Sequence, residues 1–327
     1  MRATVIREQL KAPRAGAIAG LLFSIVIAIC MPEKIHAQDL TPRAYLITPV
    51  HSNAVVTSYS FLTGNLAFNN AVPITDATAT GNIASFTYAH AMKILGRSSS
   101  INATLPYGVA NFSGELFATE TNVYRSGLLD TTYRFAINLY GGPAMDVREF
   151  AKWRQKTVIG ASLRVDAPTG QYDGTKLVNF GANRWGFKPE VGVSRRWGHW
   201  IVDGYAGGWF YTINPEYFSK NQYNPGVTSQ SSAPIVEFEG HLSYSFRPRL
   251  WASLDGNYWR GGTTSLNGVE NPGTLQNNSR IGGTFAMPVT KHQTLKCSYA
   301  NGAYIRYGGN YQALSVGWQY SWIGRPE

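Results

Sequence analysis

Residues 313–322 read Ala-Leu-Ser-Val-Gly-Trp-Gln-Tyr-Ser-Trp. Leu314, Val316, Trp318, Tyr320 and Trp322 alternate with Ala313, Ser315, Gly317, Gln319 and Ser321. Side chains of a β-strand point to opposite faces in turn, so one face of this strand is apolar or aromatic and the other small or polar. Residues 236–247 repeat the pattern: Val236, Phe238, Leu242, Tyr244 and Phe246 share a face with Gly240, and Glu237, Glu239, His241, Ser243, Ser245 and Arg247 share the other. A soluble sandwich alternates in the same way, so the pattern gives strands without giving the medium. Tyr and Trp gather at strand ends (Tyr140, Trp185, Trp197, Trp200, Trp251, Tyr258, Trp259, Trp322), as in the aromatic girdles that flank a lipid-facing band.

The spacing predicts twelve strands, near 55–62, 82–94, 98–106, 128–140, 156–166, 185–197, 199–212, 233–247, 249–260, 277–288, 291–304 and 311–322. Most are about ten residues or longer, the length a tilted strand needs to cross a bilayer. Connections after strands one, three, five, seven and nine are long, and those after two, six, eight and ten are short. An even count with short turns on one rim and long loops on the other is the layout of a transmembrane antiparallel β-barrel, with both termini on the short-turn, periplasmic rim. The fold class is therefore all-β, a single barrel at 55–327. Two connections depart from the rule: the one after strand eleven is short, and the one after strand four, 141–155, carries Met145, Phe150 and Trp153 among charges and reads equally as a short interfacial helix or a long turn. Strand seven can be phased either way, because placing Asp203 inside places Trp209 there too. His90 falls on an apolar face with no evident reason.

Ahead of the barrel, Arg2, Arg7, Lys11 and Arg14 precede the apolar run Ala15–Met31, and Ile-His-Ala closes at Ala37. A basic start, an apolar middle and a small residue at the cut mark 1–37 as a secretory signal. Residues 38–54 contain Pro42 and Pro49 and read as an extended N-terminal periplasmic arm that either hangs free or enters the lumen. Of the formal charge of +10, five cations and two acids sit in residues 1–37, which leaves +7 for the remainder. Only 15% of the 327 residues are charged, against about 25% in soluble domains, while Gly (34), Tyr (19) and Trp (9) are abundant. This composition argues against a coiled coil, a disordered tail and a helical enzyme. No cluster of Lys and Arg with interleaved aromatics marks a nucleic-acid surface. Cys30 and Cys297 are the only cysteines and Cys30 lies in the leader, so no disulfide framework is available.

Several short segments follow one another in an ordered series: Asp39-Leu40-Thr41-Pro42-Arg43-Ala44-Tyr45, Arg125-Ser126-Gly127-Leu128-Leu129-Asp130, Gly142-Pro143-Ala144, Gly160-Ala161-Ser162-Leu163, Pro168-Thr169-Gly170-Gln171-Tyr172, Asn183-Arg184-Trp185 and Phe187-Lys188-Pro189-Glu190. Their order and spacing resemble the outer-membrane "transporter" family of the MetA pathway of phenol degradation, over nearly the whole mature chain. Leu129 stands where that family's turn would carry Gly, which puts the geometry of this turn in doubt. The resemblance implies a barrel that passes aromatic or other small organic compounds, in the outer membrane of a Gram-negative bacterium.

On the phases above, the lumen receives Arg134, Arg164, Arg184, Lys188, Arg247, Arg280 and Lys296 against Asp166, Glu190, Glu237, Glu239 and Asp255, with His241 among them. These are the selectivity candidates, in a mixed and slightly cationic interior. The alternative is that they pair across a narrow interior and satisfy one another. Arg164, Arg184 and Lys188 are expected on a basic wall, and Glu237 and Glu239 on an acidic wall facing it. Tyr107, Tyr172, Tyr217, Phe218 and Tyr223 are expected in the long loops, as a greasy vestibule or as loop packing. Catalysis is not expected: His241 and Ser243 point in parallel from one strand, and no Gly-x-Ser-x-Gly elbow occurs. The histidines are scattered, so neither a metal site nor a cofactor is expected. The partners implied are outer-membrane lipid, small organic solutes and the barrel-assembly machinery; the function is passive solute uptake, with a structural or recognition barrel lacking flux as the alternative. The solute and the oligomeric state are left open.

Overall fold

The computed structural model describes residues 40–67, 74–116 and 119–324. The expected signal, 1–37, and the first two residues of the arm lie outside the described residues. In chain order the strands are β1 (Ser52–Leu66), β2 (Ile74–Ile94), β3 (Arg97–Leu116), β4 (Thr119–Leu128), β5 (Thr131–Tyr140), β6 (Thr157–Ala167), β7 (Gly186–Trp197) and β8 (Trp200–Tyr211). They continue as β9 (Gln230–Ser232), β10 (Ile235–Arg247), β11 (Leu250–Gly261), β12 (Thr264–Leu266), β13 (Val269–Asn271), β14 (Gln276–Pro288), β15 (Gln293–Ile305) and β16 (Gly309–Ile323). One helix, α1 (Val147–Lys152), lies between β5 and β6.

Twelve of these strands form a closed antiparallel barrel, each hydrogen-bonded to both neighbours. First and last strands meet in an unbroken register from Ser52↔Ile323 to Leu66↔Gly309. β4 continues β5 outward past a break at Leu129–Asp130, and β3 pairs with β5 over Ser99–Thr104 and with β4 over Tyr107–Leu116. Short β9, β12 and β13 form a separate three-stranded sheet in the outer loops.

Burial is inside-out relative to a water-soluble fold. Leu254 is 71% exposed, whereas Asp255, the next residue on β11, is 5% exposed. Val191, Phe246 and Ile281 are exposed, while Glu190, Ser245 and Arg280 beside them are buried. An apolar belt of this extent on the outer face is stable only against hydrocarbon. The strands have the predicted positions within a few residues, except that β1 to β4 run much further outward than expected. The long loops predicted after strands one and three are mainly strand: β2 has 21 residues and β3 has 20. The outer end of β2 is mainly Thr, Ala, Gly and Asn, and that of β3 scatters Tyr107, Val109, Phe112 and Leu116 over both faces among small and polar residues, so neither carries an apolar alternation.

The 141–155 connection does form a helix, with a capping box in which Asp146 accepts from the Glu149 amide and Glu149 accepts from the Asp146 amide. It does not lie against lipid. Met145, Phe150 and Trp153 pack on Tyr45, Ile47 and Val158, so the segment caps the lumen at the short-turn rim. Leu129 needs no unusual backbone; its side chain lies over Gly108, where a Cβ would stand 2.8 Å from the Leu129 Cδ1.

The arm enters the barrel. Val50 donates to the Met145 carbonyl and His51 to that of Ala91 at the rim, and Tyr45 and Ile47 are almost fully buried within. Gly160 and Gly192 on adjacent β6 and β7 leave the space that the Tyr45 ring fills, and a Cβ at either would overlap that ring. Gly192→Leu should therefore evict Tyr45 while leaving the strand ladder intact. Limited trypsinolysis in detergent checks this: cleavage at Arg43 should become rapid in the variant, with the folded barrel band unchanged on unheated gels, and unaltered protection would contradict the packing.

Candidate functional site

The inner face is organised around Lys188. Its Nζ lies 2.9 Å from Glu237, 2.9 Å from Glu239 and 3.0 Å from Glu190. Only β8 separates β7 from β10, and the register sets Gly207 of β8 between Glu190 and Glu237. Gly207 has no side chain to block the crossing; a Cβ there would stand 3.1 Å from Lys188 Cε. The network continues along β10 and β11. His241 Nδ1 is 2.9 Å from Asp255 and Nε2 is 3.4 Å from Glu239, Thr284 donates to Asp255, and Trp209 and Asn257 donate to Glu237. Buried charges persist only where paired and hydrogen-bonded, and these are.

The arm lies over this wall. Thr41 Oγ1 donates to Glu239 at 3.4 Å, the Arg43 amide to Asp203 at 3.3 Å, and the Ala44 amide to the Tyr205 hydroxyl at 3.0 Å. Tyr45 donates to Glu190 at 2.9 Å, under the guanidinium of Arg134. Arg43 stacks on Trp251 and donates to Ser245.

The wall formed by β15, β16, β1, β2 and β3 is lined differently. Hydroxyl pairs bridge its strands, Ser58–Ser85 at 2.6 Å, Ser60–Ser315 at 2.7 Å and Thr87–Thr104 at 2.8 Å. Between this wall and the arm runs a cavity of about 1030 Å³. Its lining extends from Phe180, Arg184 and Tyr211 at the loop end to Trp251, Gln319 and Arg249 at the short-turn end.

Of the sequence-predicted lumenal residues, Arg134, Lys188, Glu190, Glu237, Glu239, His241, Asp255 and Arg280 are drawn into the packed interior, and Arg164, Arg184, Asp166 and Lys296 line the cavity. Arg280 is buried against the Tyr311 and Trp259 rings and donates to the Tyr311 hydroxyl. Arg247 is a correction: a bulge between Ser245 and Arg247 leaves it exposed at the short-turn rim. The opposed walls are another. Lys188 touches the acids meant to face it, because one strand lies between them, so no field spans the lumen from Lys188 to Glu237 and Glu239.

Strand seven is settled with both Asp203 and Trp209 inside. His90 Nδ1 meets Asn53 Oδ1 at 2.8 Å on the outer face near the short-turn rim. Tyr107 is not in a loop; it lies exposed on the outer face of β3. Tyr172 and Tyr217 belong to loop packing: Tyr172 donates to the Glu216 carbonyl, and burial pushes the Tyr217 phenol up to about 12. Nearby, the Lys176 ammonium and the Thr175 donors hold the Asp173 carboxyl down at about 2. Phe218 and Tyr223 do line an apolar cavity, of about 590 Å³, with Phe112 and Val123. Ser243 Oγ is buried without a hydrogen-bond partner, and His241 turns to Asp255. Sequence reasoning left Arg43, Tyr45, Asp203 and Tyr205 undecided as interior groups, because it fixed neither the place of the arm nor the phase of the strand at 199–212. The available signal was Gly160, Ser162, Gly192 and Ser194, small residues on the inner faces of adjoining strands.

A family model described as "Putative MetA-pathway of phenol degradation" matches residues 63–310. An outer membrane channel from Pseudomonas putida F1 has a similar solved structure, at 18% identity and a TM-score of 0.73, covering 87% of this chain and 100% of that one. The likeness is one of fold. The beta domain of the Bordetella autotransporter BrkA (13% identity, TM-score 0.48, 83% and 100% covered) and the CymD monoaromatic hydrocarbon channel (7%, 0.43, 84% and 90%) are too slightly similar to bear on the chain. No curated protein matches the sequence.

Lys188→Met should leave Glu190, Glu237 and Glu239 buried without their shared cation and destabilise the barrel by about 3–5 kcal/mol. Urea titration in detergent micelles checks it, and an unchanged midpoint would show that the cluster is not held by Lys188.

Proposed function

From a chain that belongs to the MetA-pathway of phenol degradation family, we propose a passive channel that carries small organic molecules across the outer membrane. The observation that carries this reading is the cavity of about 1030 Å³ beside the arm, whose lining reaches from the loops to the short-turn rim. On β16 alone its lining runs from Ala313 to Gln319, about 20 Å along the strand at roughly 3.3 Å per residue. A volume of this size is at the upper end of the roughly 300–1,000 Å³ typical of small-molecule sites. The β1–β2–β3–β15–β16 wall supplies hydroxyls that already bond to one another, so a solute sliding along it leaves no buried charge unpaired.

The arm narrows the lumen without occupying the hydroxyl side, so it acts as a fixed constriction. The path excludes bulky solutes by cross-section, and no group along it has to be regenerated after each passage. The outer belt of Leu254, Ile281 and Phe246 takes outer-membrane lipid as its partner, and the barrel-assembly machinery is the insertion route for such a chain.

Purified protein in liposomes should admit solutes the size of a single aromatic ring well above a protein-free control, and should exclude disaccharides and larger sugars. Swelling rates and single-channel conductance read this directly. A folded, inserted protein with no flux of any small solute would favour a structural or recognition barrel.

A further inference from the structure

We propose that the outer half of the lumen holds a subsite for a monoaromatic carboxylate, with the ring on an apolar crescent and the carboxylate on Arg184 and Arg164. This deepens the channel reading and rests on it for its place in a solute path. The cavity beside the arm is lined at its loop end by two unlike surfaces. One is apolar: Leu62, Ile83, Pro106, Leu129 and Phe180. These come from β1, β2, β3, the β4–β5 break and the loop before β7, and they converge because Leu129 and Phe180 both pack over Gly108.

The other surface is cationic and preorganised. The Arg184 guanidinium lies 4.4 Å from the centre of the Tyr211 ring and donates to Ser232 at 2.7 Å. Tyr211 stacks on Trp209 with centroids 5.7 Å apart and planes 1° from parallel. Arg164 lies 5.1 Å from the Trp209 ring centre and is held by Asp166 at 2.9 Å. The two arginines thus flank one aromatic stack, which fixes planar donors that suit a carboxylate without fresh ordering of long side chains.

Charge selects the ligand class. Arg43, Arg164, Arg184, Lys188, Arg249 and Lys296 line the cavity against Asp130, Asp166 and Glu237, and Lys188 is already occupied by three carboxylates. At the loop end Arg164 is paired with Asp166 and Asp130 accepts from the Gly170 and Ala182 amides, whereas Arg184 donates to a neutral hydroxyl, so an anion gains there where a cation loses. The apolar crescent then separates an aromatic carboxylate from a simple one, since a small carboxylate such as acetate leaves that surface wet.

Binding and flux are measured separately, with benzoate, acetate and benzyl alcohol as probes. In detergent, calorimetry should show benzoate binding more tightly than acetate or benzyl alcohol, about tenfold or more in each case. Arg184→Gln and Arg164→Gln should each weaken benzoate about tenfold and leave benzyl alcohol unchanged. Phe180→Ala should weaken benzoate and leave acetate unchanged, which a general loss of folding would not do. Equal binding of benzoate and benzyl alcohol, or benzoate binding indifferent to both arginines, overturns the subsite. Flux of neutral solutes with such indifference retains the channel and removes the subsite. Arginine-dependent benzoate binding with no flux retains the subsite and removes the channel.

Discussion

Hydrocarbon offers no hydrogen bonds, so every peptide group of a membrane-crossing sheet must find its partner within the sheet. Closure of β1 on β16 meets that requirement for this chain, with register unbroken from Ser52↔Ile323 to Leu66↔Gly309. Once the ring is closed, alternation does the rest. Residues such as Leu254 and Ile281 are turned toward lipid, and each inward partner is confined to a lumen of fixed width. What the interior does follows from how that width is filled.

The filling is asymmetric. Lys188 gathers Glu190, Glu237 and Glu239 across the bare backbone of Gly207, and the arm lies over that side through Thr41, Arg43 and Tyr45. Charge that might have faced an open lumen is thereby consumed in packing. On the other side the pairs Ser58–Ser85 and Ser60–Ser315 leave a wall with small, self-satisfied groups. A cavity survives because large and charged side chains are concentrated on one arc of the barrel and small hydroxyls on the other.

Much of the barrel was legible in the sequence, for a physical reason. A strand between lipid and water must alternate strictly, as Leu314 to Trp322 does, and the predicted bounds of β6, β7, β8, β11 and β14 lie within a residue or so of those observed. Outside the bilayer the rule lapses. The outer parts of β2 and β3, such as Thr75–Gly81, face water on one side and loops on the other, so nothing in their pattern distinguishes strand from loop. The interior candidates other than Arg247 were legible as facing inward, since parity decides that on a strand without a bulge; which of them touch was not. The pairing of Lys188 with Glu237 depends on strand order and on Gly207, and the bulge at Ser245–Arg247 removes Arg247 from the lumen with no mark in the alternation. The arm was hardest to place: its docking rests on space left by Gly160 and Gly192, and a glycine seen in sequence does not say what fills the gap.

Cysteine scanning along residues 55–62, in a Cys297→Ser background reconstituted in liposomes, tests most directly that water fills one side of this sheet and lipid the other. The account predicts that a charged, membrane-impermeant thiol reagent labels cysteines at Val56, Ser58 and Ser60 and spares those at Val55, Thr57 and Tyr59. Labelling with no period, or with the opposite phase, would contradict it.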